Sequence, residues 1–110
     1  MKVERKGHTT IIKDTESNYI QFIEKLTVQY NTFKDANLIL DLTHDKTLDL
    51  SGLKQFQELT KKHIKNNKSL VIVAENIDFN KVPAKLKVVP SILEAHDLIE
   101  MDEIERDLGF

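Results

Sequence analysis

Asn37-Leu38-Ile39-Leu40-Asp41-Leu42-Thr43 is the stretch that decides the fold. Leu38, Ile39 and Leu40 stand side by side, with Leu42 two places on and no polar residue alternating between the first three. A strand with one wet face alternates, whereas a strand covered on both faces runs apolar without interruption. Ser69-Leu70-Val71-Ile72-Val73-Ala74 repeats the pattern in its cleanest form. Between the two lies a helix signal: Asp49-Leu50-Ser51-Gly52 opens it, Leu53, Phe56, Leu59 or Thr60, and Ile64 supply its core face, and Asn66-Asn67 ends it. Two doubly buried strands separated by a helix are parallel neighbours joined by a crossover.

The flanks extend the same scheme. Tyr19, Ile23, Leu26, Tyr30 and Phe33 recur at spacings of 4, 3, 4 and 3. That spacing predicts one apolar stripe on a helix of about 17 residues, with Asp14 or Thr15 as its cap. Ahead of it, residues 2–5 and 9–13 read as a hairpin turning at Gly7-His8. Residues 75–86 are irregular or a short helical turn. Lys87-Val88-Val89-Pro90 is a brief strand at an edge, where a proline is tolerated. Ser91 then caps a last helix, with Ile92, Leu93, Ala95, Leu98 and Ile99 facing inward and Met101-Asp102 as a possible break. The expectation is an α/β fold in one domain, residues 1–110: a small mixed β-sheet of about four to five strands with three to four helices packed on it.

Composition narrows the chemistry. The 110 residues contain no cysteine, so disulfides, thiol catalysis and cysteine-held metals or clusters are excluded. Three glycines, Gly7, Gly52 and Gly109, cannot build a phosphate-binding loop. No apolar run approaches membrane-spanning length, and Met1-Lys2-Val3-Glu4-Arg5-Lys6 has no apolar signal core, so a cytoplasmic protein is expected. Net charge is −2, yet residues 91–110 hold seven acids against one base, Arg106. Those acids are either a solvated helix face or a docking surface for a basic partner. A basic cluster, Lys61, Lys62, His63, Lys65 and Lys68, falls where a helix ends and suits the negative end of its dipole. It has no interleaved aromatic residues, which argues against nucleic acid.

Three motifs carry a family resemblance. Leu38-Ile39-Leu40-Asp41-Leu42-Thr43 is a central strand ending in an Asp-Leu-Ser-like turn. Asp49-Leu50-Ser51-Gly52-Leu53 follows as an Asp-Ser-Ser-Gly-Leu-like helix start. Val88-Val89-Pro90-Ser91-Ile92-Leu93-Glu94-Ala95 is a closing strand leading into a last helix. In order and spacing, over roughly residues 1–100, they resemble the STAS domain (sulphate transporter and anti-sigma factor antagonist). The resemblance implies a bacterial partner-switching protein. In that family the signature serine is phosphorylated by an anti-sigma kinase, and the unphosphorylated form binds that kinase and frees a sigma factor. The family's phosphorylated serine follows the aspartate directly; this chain has Leu50 there, and its Ser51 matches the second serine. Ser51 is thus the candidate regulatory phosphosite, and Asp49, Leu50, Ser51, Gly52, Leu53 and Phe56 the candidate interaction surface.

Catalytic patterns are thin. His44-Asp45 and His96-Asp97 are two His-Asp pairs without the further ligands that a metal-dependent phosphohydrolase needs. Ser51, His44 and Asp49 or Asp41 can be drawn as a triad, but no Gly-x-Ser-x-Gly elbow accompanies them. No catalytic residue, metal or cofactor is therefore assigned. The chain also resembles short STAS-like proteins of the Bacteroidetes type that sometimes carry the label ribonuclease Z. That nuclease needs a His-x-His-x-Asp-His cluster, and His8, His44, His63 and His96 are isolated from one another. The expected function is a non-catalytic, protein-binding regulatory module of the anti-sigma factor antagonist type. Two further readings are an accessory protein of an RNA-processing nuclease and a small-ligand-binding STAS-like domain. Neither membrane nor nucleic acid is an expected partner.

Overall fold

A computed structural model of the chain describes residues 1–109. The opening strands β1 (Lys2–Lys6) and β2 (Thr9–Lys13) form an antiparallel hairpin with Lys6 opposite Thr9. Its loop is two residues long, and Gly7 takes φ +58° at the first of them, the left-handed geometry such a tight hairpin needs. After helices α1 (Tyr19–Val28) and α2 (Tyr30–Phe33) the chain enters β3 (Asn37–Asp41), parallel to β2. Helices α3 (Leu50–Lys54) and α4 (Gln57–Lys65) lead to β4 (Leu70–Val73), and a short 3-10 turn at Phe79–Lys81 leads to β5 (Val88–Val89). Helix α5 (Ile92–Asp107) closes the chain. The sheet has five strands in the order β1-β2-β3-β4-β5, parallel from β2 onward. The fold is α/β with a mixed sheet, as the strand and helix pattern implied.

Strand order explains the layering. Consecutive parallel strands added in one direction, with crossovers of one hand, put their helices on one face. Ile12, Leu38, Leu40, Leu70 and Ile72 point to that face and pack with Phe22, Leu26, Tyr30, Phe33, Leu53, Phe56 and Leu59 of α1 to α4. The alternate residues Ile11, Ile39, Val71 and Val73 point the other way, where Ala95 and Ile99 of α5 cover them. Each such side chain taken fully out of water contributes about 1.5–3 kcal/mol, and both faces of β3 and β4 gain from it.

Several local expectations are corrected. The first helix is interrupted at Gln29, giving α1 and α2, and Phe22 is buried in it while Ile23 is only half-buried. Its cap is neither Asp14 nor Thr15. Asn18 accepts the Gln21 N–H at 3.2 Å, while Asp14 braces the preceding turn by accepting from the N–H groups of Glu16 and Asn18. The second helix is likewise interrupted, at Gln55 and Phe56. Within α4 it is His63 that is buried, at 0% exposure, and Ile64 that faces water at 51%. In α5 Leu93 is exposed rather than inward, and the helix runs unbroken through Met101-Asp102.

His63 staples α4 to the turn before β3. Its Nε2 lies 2.8 Å from the Ala36 carbonyl, which can only accept, so the ring proton sits on Nε2. Nδ1 then accepts the Tyr30 hydroxyl at 2.8 Å. Burial drives the His63 pKa below its ordinary value, with Lys68 adding to the effect and the Ala36 bond opposing it. The folded ring therefore resists a proton that the unfolded ring accepts below about pH 6.5. Stability is fully present above that pH and falls as the pH drops below it. Urea midpoints measured at two pH values, one above and one below that point, should show this loss in the wild-type chain and a smaller one in His63→Gln. Tyr30→Phe, which orphans Nδ1, should cost about 1–3 kcal/mol at neutral pH.

Candidate functional site

The residues after β3 are built from short-range hydrogen bonds. Asp41 ends the strand and accepts at Oδ1 from the Thr43 N–H, at 3.1 Å, and the Thr43 hydroxyl, at 2.7 Å. Asp45 is buried, and its Oδ1 accepts in the same way from Thr47, at 2.9 and 2.6 Å. Its Oδ2 accepts the Tyr19 N–H at 2.9 Å, tying the loop to the first turn of α1. Ser17 adds a second tie by donating its hydroxyl to the His44 carbonyl at 2.9 Å. The loop from Leu42 to Asp49 is thus tied to the start of α1 through the adjacent residues His44 and Asp45.

The start of α3 follows from the same logic. Asp49 has extended backbone and accepts the Gly52 N–H at 2.9 Å, so Asp49 is the cap. Gly52 is buried, and a Cβ there would stand 2.9 Å from both Leu48 Cδ1 and the Tyr19 ring. A side chain at this position would push the helix start off the loop beneath it. Leu50 is half-buried and packs against the core, while Asp49 and Ser51 are exposed. The Ser51 hydroxyl makes no hydrogen bond among the described residues, because the capping task has gone to Asp49.

This placement narrows the sequence-derived surface. Asp49, Leu50 and Ser51 sit together where a partner could reach them. Gly52, Leu53 and Phe56 do not: Leu53 and Phe56 are at 0% exposure in the core beneath α3. They set the position of the surface and cannot form it. The helix pattern agrees with this burial, since it assigns Leu53 and Phe56 to the core face.

The alternative chemistries can be placed too. His44 is exposed in the loop, while its neighbour Asp45 is buried and occupied by three donors. No hydrogen bond joins Ser51, His44, Asp41 and Asp49 among the described residues; each aspartate is engaged with backbone of its own turn. Among the described residues no group of three or more His, Asp or Glu side chains is arranged to hold a metal ion. The hollow between this loop and Glu75-Asn76 measures about 40 Å³, far below the several hundred Å³ of a small-molecule site. No helix among the described residues is long and apolar enough to cross a membrane.

No model of a known protein family and no curated protein matches this chain.

The sequence alone offered no signal for Asp45 as the brace of this loop, because a His-Asp pair reads first as a ligand pair. Asp45→Ala should cost about 2–3 kcal/mol, leaving three donors without their charged acceptor. Asp49→Ala should cost about 1 kcal/mol through loss of the cap. Ser51→Ala should stay within about 0.5 kcal/mol of wild type. Urea denaturation of the three variants checks this order.

Proposed function

We propose that this chain is a non-catalytic protein-interaction module of the STAS type, in which Asp49, Leu50 and Ser51 form the contact surface and Ser51 is its regulatory hydroxyl. The observation that carries the reading is the unengaged Ser51 hydroxyl at the first turn of a helix whose cap is supplied by Asp49. A serine exposed in the first turn of a helix, with no internal hydrogen bond, loses no contact when it is modified. A phosphate there would add about −1.5 to −2 of charge to a surface that already carries Asp49. That change repels an acidic contact and disrupts one built on the apolar part of Leu50. The order of strand, braced turn and helix start also supports the likeness to the STAS signature, with Leu50 in place of the family's usual phosphorylated serine. A cytoplasmic location belongs to the same reading.

Competing readings make different predictions. An accessory subunit of an RNA-processing enzyme would bind a nuclease regardless of Ser51. A ligand carrier would bring a small molecule through purification. The test is capture from the native cells with tagged wild-type, Ser51→Ala and Ser51→Asp chains, with the intact mass of each bait recorded. Wild type and Ser51→Ala should retain a common partner that Ser51→Asp loses, with a phosphate-sized increment on part of the wild-type bait only. Equal capture by all three chains, with no mass increment, would overturn the regulatory role.

A further inference from the structure

Helix α5 has two apolar faces. One packs Ala95 and Ile99 onto the sheet. At 3.6 residues per turn, Leu93, Met101, Ile104 and Leu108 fall on the opposite side, together with Asp97. All four apolar residues are exposed, at 72%, 57%, 52% and 65%. Large apolar side chains exposed singly need no explanation, but four along one helix face, with Asp97 between Leu93 and Met101, make a patch that a partner can cover. Glu94, Glu100, Glu105 and Asp107 flank it, all exposed. The one base of this segment is turned away: Arg106 donates to Ser69 Oγ at 3.0 Å and to Asn37 Oδ1 at 3.4 Å at the end of the sheet where β3 and β4 begin. The outward face is therefore acidic without an internal counter-charge.

A surface of opposite character lies elsewhere on the chain. Between α4 and the segment leading into β5 runs a groove of about 450 Å³. Ile64 and Ala84 line its apolar part, and Lys61, Lys65, Lys85 and Lys87 surround them. Lys87 is held by Asp102 at 2.6 Å, and Lys61 lies 4.0 Å from Glu58. Lys65 and Lys85 have no ion-pair partner among the described residues. Asp102 and Arg106, which border the adjoining hollow, are on the inner side of α5, opposite the stripe. The stripe of one molecule cannot reach its own groove.

We propose that the acidic stripe of α5 in one copy of this chain seats in the lysine-rimmed groove beside α4 of a second copy. Apolar residues meet apolar residues, and each flank meets the opposite charge. The alternative symmetric pairing, α5 against α5, would set Asp97, Glu100 and their neighbours against themselves, which like-charge repulsion disfavours. The contact uses two different surfaces, so it is heterologous and each added copy presents a fresh stripe and a fresh groove. It does not involve Asp49, Leu50 or Ser51, and it stands or falls independently of the regulatory reading.

The test is sedimentation equilibrium of the purified full chain over a concentration series, at low salt and at about 0.5 M salt, where screening is strong. The weight-average mass should rise above the monomer with concentration at low salt and fall back at high salt. A stripe variant, Met101→Glu with Ile104→Glu, should remain monomeric. So should a groove variant, Lys61→Glu with Lys65→Glu. An equimolar mixture of the two should form a dimer and nothing larger, because one intact stripe meets one intact groove. Circular dichroism confirms that both variants fold, and the single change Leu93→Glu serves as a second stripe variant. A wild-type chain that stays monomeric throughout overturns the proposal. So does association that survives the groove variant, or a mixture that fails to pair.

Discussion

Strand β3 is enclosed on all sides, and the rest of the molecule is arranged around that enclosure. Its edges are taken by β2 and β4, in register from Thr9 opposite Asn37 to Asp41 opposite Val73. One of its faces sends Leu38 and Leu40 into the cluster under α1 to α4, and the other sends Ile39 toward α5. A strand so placed has no solvent-facing position until it ends, which is why its polar residues are confined to Asn37 and Asp41. Both mark the strand's ends, and both take on polar work there. Asn37 Oδ1 accepts the Ser69 N–H at 2.9 Å, and Asp41 folds the turn toward Thr43.

What could be read from the sequence follows from this enclosure. A doubly buried strand writes itself as an unbroken apolar run, so β3 and β4 were legible, and with them the α/β class. Two caps were also legible, Asp49 and Ser91, each accepting from the residue three places on; Asn18, which caps α1 in the same way, was not. The helix interruptions were not, because neither Gln29 nor Gln55-Phe56 carries a glycine or proline to announce them. The consequence is visible in α4. Gln55 and Phe56 wind more tightly than an α-helix, with Gln55 N–H donating to the Gly52 carbonyl and Phe56 N–H to that of Leu53. Tighter winding advances the phase of everything that follows. His63 rotates inward and Ile64 outward, and a stripe counted through the break at constant period picks the wrong one of the two.

His63 shows how such a rotation is made tolerable. A buried imidazole needs partners for both ring nitrogens, and Tyr30 and Ala36 supply one each. Tyr30 opens α2 and Ala36 immediately precedes β3, so the same pair of bonds fixes the end of α4 against the approach to the central strand. Lys62 lies over the Tyr30 ring, 4.6 Å from its centre, and shields the pair from the side. The basic cluster read from the sequence therefore splits by place: His63 is buried and held by two hydrogen bonds, while Lys61, Lys62 and Lys65 are exposed. The candidate site was legible to a similar degree. The motif marks Asp49 to Ser51 as a helix start, and α3 begins there; which of its members reach the surface depends on the rotation of α3 over the core.

The two ends of the sheet treat their polar groups alike and leave different things over. At the end where β3 and β4 begin, Asn37, Ser69, Lys87, Asp102 and Arg106 form one connected network that holds the last turns of α5. At the opposite end Asp14, Asp41, Asp45 and Asp49 each hold backbone N–H groups of a turn. No buried side-chain donor or acceptor among the described residues is left without a partner. Groups satisfied in this way rigidify the molecule. The two proposed contacts use groups outside both networks, the Ser51 hydroxyl and the outer face of α5. The second of these depends directly on the first network. Because Arg106 is drawn inward to Ser69 and Asn37, the acids outside keep their charge uncompensated, and the interior wiring of α5 sets the electrostatic character of its exterior.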